Sequence, residues 1–237
     1  MKGFLYLLLF IKMPIYWQQT TNVDTPRHPS LSWANRKNDK FQAWNRDKQA
    51  EEEIKLPESF IIIAEWRSVK GYLGDKWGVW SNEVYSFAKE PLTIRSNNGE
   101  ILYEWLWSEI KDKVKAVGLK LTKNVHYVDP DKTDELRTFC IKWAGLKAWL
   151  ETFADDNRFA ASNHLICFKE VKNGKTWSIK YTYPVFSICD ALTQEQKNVQ
   201  TSWWAKLAAY QERVNATADE IQNEKVAMEN EEPELPF

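Results

Sequence analysis

Ile101-Leu-Tyr-Glu-Trp-Leu-Trp-Ser-Glu-Ile-Lys-Asp-Lys-Val-Lys-Ala-Val-Gly118 is where the hydrophobic period of this chain changes from about two to about 3.6. Leu102, Leu106, Ile110, Val114 and Val117 fall four, four, four and three apart, so the spacing predicts an amphipathic helix over 101–117. Gly118 is placed as its C-terminal cap, and Lys111, Lys113 and Lys115 complement the negative end of the helix dipole. Upstream, Phe60-Ile-Ile-Ile-Ala-Glu-Trp66 reads as a buried strand. A glycine-punctuated turn (Gly71, Gly74, Gly78), a strand from Val79 to Phe87, a third over Leu92–Arg95 and the turn Asn97-Asn98-Gly99 follow. Downstream, Leu119–Val128 and Arg137–Ala144 return to strand character around an Asp129-Pro-Asp131 turn. A short helix follows over Leu146–Phe153. A hairpin over Leu165–Val171 and Thr176–Val185 turns on Asn173-Gly174. This order predicts an α+β fold built on an antiparallel-sheet barrel, OB-fold-like with an added hairpin and helices. A Whirly-like open sheet is the second choice.

Outside that body the chain divides in composition. Residues 1–58 contain Pro14, Pro26, Pro29 and Pro57 among many polar residues and predict a poorly packed arm, with at most a polar helix over Ser32–Glu53. Residues 1–12 carry an eight-residue apolar run that reads either as a misassigned start or as a signal-like segment. It is too short to span a bilayer, and no membrane partner is expected. The folded domain is expected over 59–190, a C-terminal helix over 191–228 and an acidic tip over 229–237. Trp203, Leu207, Tyr210, Val214 and Ile221 form a heptad-like stripe, expected to dock on the domain, with self-association into a homo-oligomer as the alternative.

The net charge of −1 announces no nucleic-acid partner, but it is unevenly placed. Residues 191–237 hold nine acidic and four basic side chains, while the rest is mildly basic. Thirteen tryptophans are far more than one core needs. Single-stranded nucleic acid is bound by stacking bases on such rings, and sugars use them too. Cys140, Cys167 and Cys189 form neither a zinc pattern nor a disulfide framework, and buried free thiols in a reducing compartment are expected. His28, His126 and His164 lie outside catalytic motifs, and no phosphate-binding glycine loop or nucleophile elbow occurs. The residues therefore predict no enzyme and no cofactor. Asp129, Asp131, Asp134 and Glu135 are the one carboxylate cluster that a metal-dependent nuclease would use, and a solvated loop is the plainer reading.

The sharpest internal signal is Trp66-Arg-Ser-Val-Lys-Gly-Tyr-Leu-Gly-Asp-Lys-Trp-Gly-Val-Trp80. It interleaves Trp66, Tyr72, Trp77 and Trp80 with Arg67, Lys70 and Lys76, the rings and cations a sequence-tolerant single-strand groove uses. Lys120 and Lys123 are expected to extend it. At the other end, residues 219–237 hold seven acidic groups and one lysine, and close in Glu231-Glu-Pro-Glu-Leu-Pro-Phe237. Phe237 presents a ring beside the α-carboxylate, and Pro233 and Pro236 keep the segment extended for docking.

That tail resembles the C-terminal tip of bacterial and phage single-stranded-DNA-binding proteins, with Leu235 and Glu234 where Ile and Asp are more usual. The segment Val69–Tyr127 is similar, more loosely, to phage-encoded single-strand binders. The resemblance implies a non-enzymatic protein of DNA replication, repair or recombination in a bacterial cytoplasm. It also implies that Glu231, Glu232, Glu234, Leu235, Pro236 and Phe237 bind replication and repair proteins. A secreted Trp-rich carbohydrate-binding protein is the rival expectation, and a nuclease the third.

Overall fold

A computed structural model describes residues 31–34, 40–45, 48–73, 77–96, 100–153 and 162–230. Among these residues the strands are β1 (Leu31–Ala34), β2 (Lys40–Asn45), β3 (Ala50–Ile54), β4 (Ser59–Leu73), β5 (Trp77–Ser81), β6 (Leu92–Ser96), β7 (Ile101–Trp105), β8 (Lys120–Asp129), β9 (Lys132–Lys142), β10 (His164–Thr176) and β11 (Ile179–Ala191). The helices are α1 (Trp107–Ala116), α2 (Trp143–Thr152) and α3 (Gln194–Asn230). The main sheet runs β3-β2-β1-β9-β8-β4-β5-β6-β7, and β10 joins it through β4 with β11 alongside. Only the β1–β9 pairing is parallel among the described strands. The fold is α+β and mostly antiparallel. Its sheet is open, with β3 and β7 as edges, rather than closed into the expected barrel.

The long strand β4 organises both faces. Its β-branched start, Phe60-Ile-Ile-Ile63, is buried on both sides, which is why it reads as a continuous apolar run instead of an alternation. On one face Phe60, Ile62, Val125, Tyr127, Phe139 and Trp149 pack with Phe186 of β11. Further along that face, Val69, Val79, Leu92 and Ile94 meet Ile110 and Val114 of α1. On the opposite face Trp66, Val128 and Leu136 receive Leu207 of α3, with Trp203 packed beside it, so the first part of the heptad-like stripe docks on the domain; the Val214 and Ile221 side chains lie outside the described ones. Gln200 of α3 donates to the Ile62 carbonyl, Trp203 to the Thr133 carbonyl and Gln211 to the Glu83 carbonyl. The helix therefore travels along β4. The Tyr127 hydroxyl lies inside the core without a protein partner, and burial pushes its pKa above the ordinary phenol range.

Several local expectations change. Residues 101–105 form a strand, and the helix starts at Trp107, because β7 pairs antiparallel with β6, Leu92 with Trp105 and Ile94 with Tyr103. Gly118 does terminate α1, with φ of 79° and its N–H on the Lys115 carbonyl. Residues 31–34, 40–45 and 50–54, expected as poorly packed arm or polar helix, form β1–β3. Phe41 is 4% exposed in the core, with Ile54 and Leu56 packed beside it. The hairpin turns at Trp177-Ser178, not at Asn173-Gly174. Gly174 sits inside the strand opposite Tyr181, whose ring would lie 2.3 Å from a Cβ there, so this glycine permits a close approach instead of a turn. Cys167 and Cys189, expected as free thiols, are joined in a disulfide, their Cα atoms brought 6.1 Å apart by the β10–β11 pairing. Cys140 is buried and free. No described helix is long and apolar enough to cross a membrane.

Candidate nucleic-acid interface

Register decides which of the expected site residues meet. Lys70 pairs with Lys120 on one side and with Trp80 on the other, and Trp80 pairs with Arg95. Paired residues project to the same face. The order Lys120–Lys70–Trp80–Arg95 is thus a row across four strands, about 14 Å wide at ordinary strand spacing. Tyr72, two residues beyond Lys70 and 74% exposed, extends the same face along β4. Lysines directly opposite each other destabilise a sheet. Thr93 and Glu104, joined by a 3.0 Å hydrogen bond, form the next pair from Arg95 on β6 and β7, so the row is bordered by an acid on that side.

The other expected residues do not join it. Trp66 shares the face but is 5% exposed, edge-on to His126 at 4.8 Å and covered by the α3 cluster. Its ring belongs to the core, and the expectation that it stacks on a base is corrected. Arg67 projects to the opposite face, where its guanidinium lies 5.1 Å above the Phe87 ring. Lys123 points the same way, 3% exposed as a residue and paired with Glu65, so it cannot reach a ligand in a surface groove. The alternation of the strands accounts for both, since 67 and 123 are out of phase with 70 and 120. Lys76 lies outside the described residues, and of Trp77 only the backbone, paired with Leu73, is described. The tip residues Glu231, Glu232, Glu234, Leu235, Pro236 and Phe237 lie outside them too. Arg95 was missed in the sequence. Its signal was an isolated cation in a short strand, and only the register with Trp80 gives it meaning.

Beside the row, on the same face of β4 and β8, lies a buried polar cluster. The Ser68 and Thr122 hydroxyls are 2.8 Å apart, and Asn124 donates to Ser68 (3.1 Å) and to Glu83 (2.6 Å). His126 has the Thr138 hydroxyl on Nδ1 at 2.8 Å and the Glu83 carboxylate 3.6 Å from Nε2. A histidine between a hydroxyl and a carboxylate has the parts of a proton relay. His126 has no exposed surface and lies against the Trp66 ring, so these parts are closed off from solvent. In the acidic turn, Asp129 accepts the Asp131 N–H and Glu135 pairs with Arg137. Among the described residues no group of three or more His, Cys, Asp or Glu is arranged to hold a metal ion.

The chain matches no known protein family, no curated protein and no solved structure.

Proposed function

We propose that this chain is a non-enzymatic single-stranded-DNA-binding protein. DNA lies across the Lys120–Lys70–Trp80–Arg95 row, and the C-terminal tip recruits proteins of replication, repair or recombination. The observation that carries the reading is the row itself: three cations, an indole and the neighbouring Tyr72 ring on one sheet face, with two lysines set opposite each other. Phosphates answer the cations and bases stack on the rings, without preference for base sequence. Of the two scaffolds expected, the open sheet fits the Whirly-like one.

Titration with oligo-dT, read by tryptophan fluorescence, is the test. Lys70→Ala combined with Lys120→Ala should weaken binding and flatten the dependence of log K on log salt by about 1.4, at roughly 0.7 per phosphate contact on a single strand. Trp80→Ala should cost about 1–3 kcal/mol of binding. Equal affinity for duplex and single strand, or variants that bind like the intact chain, would sink the proposal. For the tip, deleting Phe237 alone keeps every acidic side chain and removes one ring. A docking aromatic commonly contributes about 2 kcal/mol or more, so partner capture from a bacterial extract should drop at least about tenfold while oligo-dT affinity holds or rises. Identical captured proteins would refute recruitment.

The Cys167–Cys189 bridge favours a second reading, because disulfides persist in oxidising, extracytoplasmic surroundings. There the rings would serve carbohydrate in a secreted protein. The same fluorescence titration with soluble oligosaccharides separates the two.

A further inference from the structure

The outer part of the β10–β11 hairpin, residues 171–184, carries Lys172, Lys175 and Lys180 and no acidic residue. From the Val171–Pro184 pair to Thr176 it extends for about 17 Å. Near its base it is held by α2, where Gly145 lies against Tyr183 and Pro184. Lys175 pairs directly with Lys180, a second place where this sheet sets like charges opposite each other. Lys172 shares its charge with Glu170 at 3.5 Å.

At the tip stands Trp177, 91% exposed, with φ of 57°. Left-handed backbone strains a bulky residue, and turns of this kind ordinarily use Gly, Asn or Asp. An indole that buries almost nothing and sits on strained backbone gives the fold little. Strain of this sort concentrates at sites of binding. Behind it the Tyr181 and Tyr183 rings lie 6.2 Å apart on one face, with Tyr181 across Gly174. The hairpin is a basic finger with a flat ring at its end.

We propose that this finger is a second contact for single-stranded DNA, with Trp177 stacking on a base and Lys175 and Lys180 on its phosphates. The inference deepens the proposed function and rests on it for the ligand class. Charge selects an anion, and the exposed ring selects one that carries flat bases.

Two hairpin variants, Trp177→Ala and the double Lys175→Ala/Lys180→Ala, are titrated with oligo-dT of about 30 nucleotides beside the Lys70→Ala/Lys120→Ala variant. That length exceeds a single groove's site of roughly 4–16 nucleotides. Each hairpin variant should bind about tenfold more weakly, and Trp177→Phe should retain most of the affinity. Urea midpoints equal to that of the intact chain exclude unfolding as the cause. Should the hairpin variants bind normally while the row variant fails, the finger proposal is overturned and the sheet-row reading stands. Should only the hairpin variants fail, the row reading falls and the finger holds. If the intact chain binds no oligo-dT, both fall. Co-sedimentation with anionic phosphatidylserine vesicles that is lost in Trp177→Ala, with oligo-dT binding unchanged, would also overturn the proposal by assigning the finger to a membrane surface.

Discussion

Glu65→Ala should lower the stability of the folded chain by about 3 kcal/mol, visible as an earlier midpoint in urea. Its carboxylate pairs with Lys123, whose side chain is 4% exposed, and also accepts the Trp149 indole N–H at 3.2 Å. Removing one side of a buried pair leaves the other charge without its counterion, which costs about 3–5 kcal/mol. Glu65 itself is 23% exposed, so water shares the load and the lower end applies. Glu65→Gln restores the acceptor for Trp149 but not the charge and should fall between. Combining Glu65→Leu with Lys123→Met should recover most of the loss, since an apolar pair has no charge to desolvate. A double variant as unstable as Glu65→Ala would show that packing, not the stranded ammonium, sets the cost.

Trp66→Ala should cost about 3–5 kcal/mol, the range for emptying a core of a large aromatic side chain. That is a large part of the stability of an ordinary domain. For a chain of this size the melting temperature should fall by about 10 °C. The molecules still folded should bind oligo-dT with unchanged affinity. Trp80→Ala should show the reverse pattern, a small change in melting and a clear loss of binding. If Trp66→Ala left stability intact and removed binding, the assignment of Trp66 to the α3 interface would be wrong.

The two tryptophans show what could be read from sequence and what could not. Trp66 and Trp80 sit in similar local patterns, each near cations and small residues, and nothing local separates them. What separates them is where α3 lands. Leu207 covers Trp66, a contact across well over half the chain, while Trp80 lies beside Lys70 further along the sheet. Lys123 was read as a groove cation because its partner Glu65 lies far back in sequence. Elements with local causes were legible: the β-branched start of β4, the left-handed Gly118 after α1, the Asp129–Asp131 turn and the Trp203–Leu207 part of the stripe on α3. The Asn173-Gly174 turn was a plausible local signal overruled by the register that puts Tyr181 over the glycine. For β1–β3 the local signals pointed the wrong way. Their polar alternation looks like an arm until Leu31 finds β9 and Phe41 enters the core.

Leu31 meets Phe139, and Ser32 meets Cys140, in the parallel β1–β9 pairing. On a ribosome, β1, β2 and β3 emerge well before the strand they join. At about 5–20 residues per second, the roughly 77 residues between β3 and β9 take about 4–15 seconds to appear. Until β9 appears, the native pairings open to these three strands are with one another, through the Trp33–Phe41 and Phe41–Ile54 registers. Their outer strand is β3, Ala50-Glu-Glu-Glu-Ile54. Three consecutive carboxylates repel a second copy of the same edge, as charged residues do on exposed strands generally. The acidic β3 edge therefore disfavours edge-to-edge pairing between copies of this ribbon.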